Sequence, residues 1–162
     1  MADQLELLKI IEKNARLTPE EIAVMMGASA EEVKAEIAAL TEQKIILGYT
    51  TEINWEKTYP EKVTALIEVR ITPVRNMGFD HLANILSQYD KVKDCYLMSG
   101  GFDLMLTYED DNLKNIASFV YEKVATLEGV LSTATHFILK TYKANGIRFE
   151  IEPSDDRQAI VL

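Results

Sequence analysis

Residues 18–33, TPEEIAVMMGASAEEV, hold two helix starts separated by one helix stop. Thr18 can cap a helix, Pro19 suits its first position, and Glu21 can reach back to the cap's N–H. Ile22, Ala23 and Met26 give that helix an apolar face, and Gly27 ends it by taking the left-handed conformation a stop often needs. Ser29-Ala30-Glu31-Glu32 repeats the capping box and opens another helix, with Val33, Ile37 and Leu40 at helical spacing. Two short helices joined by Gly27-Ala28-Ser29 have the spacing of a helix-turn-helix.

Upstream, Leu5, Leu8 and Ile11, widened by Leu7 and Ile10, predict a first helix over 5–14. Downstream, Lys44 to Ile53 reads as turn and strand, or a small wing, and Asn54 to Lys62, with Pro60, as a linker. From Val63 the period changes. Val63, Ala65, Ile67, Val69 and Ile71 alternate with their neighbours as a strand stopped at Pro73. Phe79, Leu82, Ile85, Leu86 and Tyr89 mark a helix, and Val92 to Met98 a second strand. Gly100-Gly101 makes a turn into a third strand, Phe102 to Tyr108. Leu113 to Leu127 reads as one long helix stopped by Gly129, and Leu131 to Tyr142 as a fourth strand. The order β-α-β-β-α-β is the ferredoxin-like split unit, with helices on one sheet face only. A partner subunit is the simplest cover for the other face.

The expected class is therefore α+β: a winged helix-turn-helix at 1–53, a linker at 54–62, a βαββαβ domain at 63–143 and a mobile, acidic tail at 144–162 that ends in the apolar Ala159 to Leu162. No apolar run approaches the roughly 18 residues that span a bilayer. The acidic start does not resemble a signal peptide, so a cytoplasmic protein is expected. The single cysteine, Cys95, excludes an internal disulfide. His81 and His136 have no second ligand at metal spacing, and Asp110-Asp111 reads as a helix cap; no metal, cofactor or catalytic group is expected.

Asn14-Ala15-Arg16, Met26-Gly27-Ala28-Ser29, Ile46-Leu47-Gly48-Tyr49, Ser99-Gly100-Gly101-Phe102-Asp103, Leu127-Glu128-Gly129-Val130 and Thr133-Ala134-Thr135 occur in an order that resembles the Lrp/AsnC family of feast/famine regulators. The resemblance covers about residues 4–143. It implies a transcription regulator that binds promoter DNA, responds to an amino acid or related metabolite, and forms dimers that assemble further. The implied DNA-contacting residues are Arg16, Ser29, Ala30, Lys34 and Lys44. The implied effector pocket lies near the glycine turn, at a contact between dimers. Backbone N–H groups at Gly100 and Gly101 suit a carboxylate, Asp103 suits an ammonium group, and Tyr96, Met98, Phe102, Thr133 and Thr135 are candidate walls.

Charge runs against part of this expectation. The net charge is −9, and residues 1–58 hold six basic against eleven acidic groups. Phosphate neutralisation supplies most DNA affinity. The third helix carries Glu31, Glu32 and Glu36 against Lys34 alone, with Glu36 and Ala38-Ala39 where the resembled family is commonly basic. The alternative is a sensing or assembly protein whose acidic helix no longer binds DNA. An enzymatic reading, by resemblance to siroheme decarboxylases, is disfavoured by the two histidines and the acidic balance.

Overall fold

The computed structural model describes residues 3–58, 62–72 and 78–149. The chain divides into two compact units, Met1–Thr51 and Glu52–Leu162.

The first unit has three helices: α1 (Gln4–Lys13), α2 (Pro19–Met26) and α3 (Ala30–Glu42). Leu7, Ile11, Ile22, Ala23, Val33, Leu40 and Ile46 form its core. Both expected capping boxes are present, at Thr18 and Ser29. Gly27, with φ of 64°, closes α2 as the Ala28 N–H donates to the Ala23 carbonyl. The end of α3 uses the same device without a glycine. Lys44 has φ of 60°, its N–H donates to Thr41, and the Ile45 N–H donates to Leu40. The strand or wing expected from Lys44 does not form: residues 47–54 are unpaired. A lone segment has no neighbour to satisfy its backbone as strand, and only Ile46 is anchored in the core.

The second unit begins its regular structure with a 3-10 turn, Trp55–Lys57, capped by Asn54 inside the expected linker. Then follow β1 (Val63–Ile71), α4 (Phe79–Ser87), β2 (Val92–Leu97), β3 (Leu104–Asp110), α5 (Leu113–Phe119) and β4 (Val130–Phe137). The sheet order is β2-β3-β1-β4, with every pairing antiparallel. Alternation puts Ala65, Ile67, Val69 and Ile71 under the helices with Leu104, Leu106 and Tyr108. Leu66, Glu68 and Arg70 therefore lie on the opposite, helix-free face.

Three expectations need correction. The long helix after Asn112 is not uniformly α: Val120–Val124 is a π turn, closed by the Ala125 N–H on the Val120 carbonyl. The wider turn lets Phe119 and Val124, five apart, both face the core, where Phe119 stacks on Tyr108 at 4.1 Å. The fourth strand stops at Phe137 rather than Tyr142. The tail expected from residue 144 instead opens with a hairpin, β5 (Lys143–Ala144) and β6 (Ile147–Arg148). Asn145 and Gly146 supply the two positive φ angles of its turn. The Pro73 strand stop and the acidic tail past residue 149 lie outside the described residues.

Among the described residues of this unit, one charged residue is buried. Asp110 is 5% exposed and gathers Lys91 Nζ at 2.7 Å, the Asp111 N–H at 2.7 Å and Asn115 Nδ2 at 2.9 Å. Burial acts to raise its pKa, but these donors outweigh it and hold the carboxyl below its ordinary value. Asp110 thus ties β3 to the start of α5, while the cap expected of Asp110-Asp111 is made by Asn112.

Candidate DNA-contacting and effector sites

The expected DNA-contacting residues differ in how free they are. The Ser29 hydroxyl accepts from the Glu32 N–H at 3.2 Å and donates to Glu32 Oε2 at 3.0 Å. That hydroxyl is committed to the helix start, beside Ala30 at the first turn. Lys34 Nζ lies 2.8 Å from Glu20 Oε1 on α2. That hydrogen bond raises the lysine pKa and lowers the glutamate's, so the cation is held and locally neutralised. Arg16 and Lys44 are exposed and make no ion pair among the described residues. The Arg16 N–H donates to Asn14 Oδ1 at 3.1 Å, which sets the turn between α1 and α2.

The acid singled out on α3 is placed differently from expectation. Glu36 is half-buried and accepts from Gln4 Nε2 of α1 at 3.2 Å. With Val33 and Leu40 in the core, the outward stripe of α3 is Glu31, Ala35, Ala38 and Glu42, all exposed. Along this stripe two carboxylates stand at the ends of the helix and two methyl groups between them.

At the glycine turn, the Met98 N–H donates to the Asp103 carbonyl at 2.8 Å, and the Asp103 N–H to Val69 at 3.0 Å. Gly100, with φ of 134°, takes a conformation open to glycine. The Asp103 carboxylate accepts the Ile71 N–H at 2.7 Å through Oδ2, so one of its oxygens is already used. The Gly101 carbonyl accepts from Arg70 Nε at 2.6 Å. Sequence reasoning had given Arg70 no role. Its signal was present, since an arginine in an alternating strand whose other face is apolar must project from the free face.

The proposed walls do not converge within one chain. Tyr96, opposite Met105, lies on the free face at the β2 edge, and Met98 follows just beyond that strand. Thr133 and Thr135 lie opposite Val69 and Ile67, on the helix side at the β4 edge. They line a separate cleft of about 300 Å³ with Ala117, Tyr121 and Phe137. On the free face, Glu68, Arg70, Ser132 and Ala134, with Thr133 between the last two, border a polar pocket of about 210 Å³. His136 is on this face too, with Nε2 at 3.2 Å from Glu68 Oε1. Cys95 is a packed residue: burial pushes its thiol pKa up.

A three-helix unit containing a helix-turn-helix, followed by a βαββαβ unit, defines a two-part regulator of transcription. The Lrp/AsnC ligand binding domain matches residues 64–147. The chain is 42% identical over 153 residues to the HTH-type transcriptional regulator YugG of Bacillus subtilis, spanning 94% of this chain and 92% of that protein. It belongs to the Lrp/AsnC family of helix-turn-helix transcriptional regulators. Solved structures share the fold. AsnC of Escherichia coli matches with a TM-score of 0.66 at 19% identity, over 94% of this chain and 99% of that one. The L-methionine complex of the regulator NMB0573 from Neisseria meningitidis matches with 0.67 at 21% identity, over 87% and 90%. Among the described residues no helix is long and apolar enough to cross a membrane.

Proposed function

We propose that this regulator binds promoter DNA as a homodimer or a larger assembly of dimers, in the cytoplasm, and that an amino acid or similar small metabolite controls it. The observation that carries this reading is the pairing of an intact, doubly capped helix-turn-helix with a sheet domain whose free face keeps a polar pocket. L-Methionine in the structural neighbour from Neisseria meningitidis supports the effector class. Arg16 and Lys44 are the phosphate contacts, and Lys34 joins them only when it leaves Glu20; Ser29 and Ala30 present the start of α3. The effector site is assigned to the region around Gly100, Gly101, Phe102 and Asp103, and the separate placement of Tyr96 and Met98 from Thr133 and Thr135 favours a site completed by another subunit.

The test is fluorescence anisotropy with the regulator's own upstream DNA across a salt series. Each phosphate contact adds about −0.9 to the slope of log K against log salt. Glu20→Gln frees Lys34, so binding tightens and the slope steepens by about 0.9 per chain. Absence of binding at about 50 mM salt, with or without amino acids, rejects the reading.

One observation favours the alternative, in which α3 docks on protein instead of DNA: its outward stripe carries Glu31 and Glu42 and no cation. Under that alternative the parent shows no specific DNA binding. The double variant Ala35→Arg/Ala38→Arg then gains nonspecific affinity.

A further inference from the structure

Residues 52–58 open the second unit, directly after the helical one, and a distant part of the chain holds them. Past the end of β4 the Ile138 N–H donates to the Thr64 carbonyl at 2.9 Å, which carries the chain back along β1 toward that linker. There the Thr141 N–H donates to Glu56 Oε1 at 3.2 Å, and Asn145 Nδ2 donates to Glu52 Oε2 at 2.8 Å. Asn145 stands at the tip of the β5–β6 hairpin, whose base is closed by the Phe149 N–H on the Tyr142 carbonyl at 3.1 Å. We infer that this hairpin is a clasp on the linker, with Asn145 and the Thr141 N–H as its two grips, and that it fixes the separation of DNA half-sites the regulator accepts. The inference rests on the DNA-binding reading above and makes Asn145 a positioning residue for it.

Three observations carry it. First, the linker is shaped for the grip. Asn54 caps the 3-10 turn Trp55–Lys57 by accepting the Glu56 N–H at 3.1 Å, and Lys62 Nζ lies 3.8 Å from the centre of the Trp55 ring. Second, the grip exceeds what the turn requires. The tip of an Asn-Gly hairpin needs a left-handed backbone, which glycine supplies as well, yet the Asn145 amide is spent on Glu52, 93 positions away. Third, the grip lies where it changes the tether. Ile46 belongs to the core of the helical unit, and β1 begins at Val63. With the clasp closed the free stretch is 47–51; with it open the free stretch is 47–62. Flexible chains of those lengths span about 12 Å and about 22 Å root-mean-square. A dimer reads two half-sites a set number of helical turns apart, so the shorter tether admits fewer spacings. Both donors are uncharged, so salt that strips phosphate contacts leaves the clasp closed.

The experiment uses the full-length protein and its own upstream DNA, footprinted to locate the half-sites, together with versions carrying about 5 or about 10 extra base pairs between them. Parent protein is compared with Asn145→Gly/Glu56→Ala, which keeps the left-handed turn and removes both grips. Asn145→Gly alone is the milder variant, and Glu52→Gln keeps an acceptor for Asn145. Circular dichroism checks the fold of each and light scattering its assembly. In the double variant, hydrogen exchange of the Glu56, Lys57, Thr58 and Thr141 amides should speed by about tenfold or more, with β1 and β3 unchanged. The insertion of about 5 base pairs should weaken the parent by about tenfold or more and the double variant by about threefold or less. Asn145→Gly should shift both readouts in the same direction, and Glu52→Gln should behave as the parent. Equal exchange over 52–58 in parent and double variant overturns the clasp and leaves the DNA-binding reading standing. Faster exchange with an equal insertion penalty also overturns the inference, since the hairpin then holds the linker without setting the spacing. Dissociation of the double variant overturns it too, because the hairpin then serves contacts between copies. Binding of none of these DNAs by the parent overturns the spacing role and the DNA-binding reading together.

Discussion

The two units handle charge in opposite ways. In the helical unit, several charged groups are engaged by neighbouring side chains or backbone. Glu21 and Glu32 close their own helix starts, Lys34 is held by Glu20, and Glu36 is met by Gln4. In the sheet unit the charged groups are spread by register. Asp110 is buried and fully served, whereas Glu68 and Arg70 stand on the helix-free face, held by His136 and the Gly101 carbonyl. In the helical unit Arg16 and Lys44 are exposed cations without an ion pair among the described residues.

The contrast can be broken most directly at the cores. Leu40 is fully buried in a core of seven side chains, so Leu40→Ala costs about 3 kcal/mol. Hydrogen exchange should then show lost protection across residues 4–46, with β1 and β3 still protected. Loss of protection in both would show that the helical unit does not unfold by itself. Asp110→Ala comes next, at about 2 kcal/mol, because Lys91, Asn115 and the Asp111 N–H lose a shared acceptor. Since the folded pKa of Asp110 lies below its ordinary value of 3.8, its contribution is complete above that pH. It is lost as pH falls through the depressed folded value. Urea titrations from neutral to strongly acid pH should therefore show parent and Asp110→Ala converging at the acid end. The smallest effect sharpens the picture of α3. Lys44→Gly relieves a left-handed lysine and should stabilise the helical unit by about 0.5–1 kcal/mol. DNA affinity should fall in the same variant, and an unchanged affinity would remove Lys44 from the interface.

Where contacts are local, the residues announced them. Thr18 with Glu21, Ser29 with Glu32, and Gly27 after Met26 each act within a few positions, and each formed as the spacing predicts. The first strand was equally legible, because Ala65, Ile67, Val69 and Ile71 alternate without a break. Distant contacts were not. Nothing local to Glu36 points to Gln4, and nothing local to Lys34 points to Glu20. The placement of the candidate effector walls was not legible for a related reason. A list of strand residues near a turn does not say which face each occupies, and pairing Thr133 with Val69 settles that only once the register is known. The π turn has no local signature either, since it follows from the need to bury both Phe119 and Val124. The hairpin at Asn145-Gly146, in contrast, carried a strong signal that was overlooked inside an apparent tail.

The sheet order leaves β2 and β4 as its two edges, and they are not equally protected. β2 carries Lys93 and Asp94, charges of the kind that discourage a second strand from adding on. β4 reads Val130-Leu131-Ser132-Thr133-Ala134-Thr135-His136-Phe137, without proline, glycine, lysine or a carboxylate. Such a segment is rich in strand-forming residues and poor in charge, the composition of sequences that stack into fibrils. Heating or concentrating the protein should drive precipitation through this edge. A lysine in place of Leu131, which is exposed, is the substitution to raise its solubility.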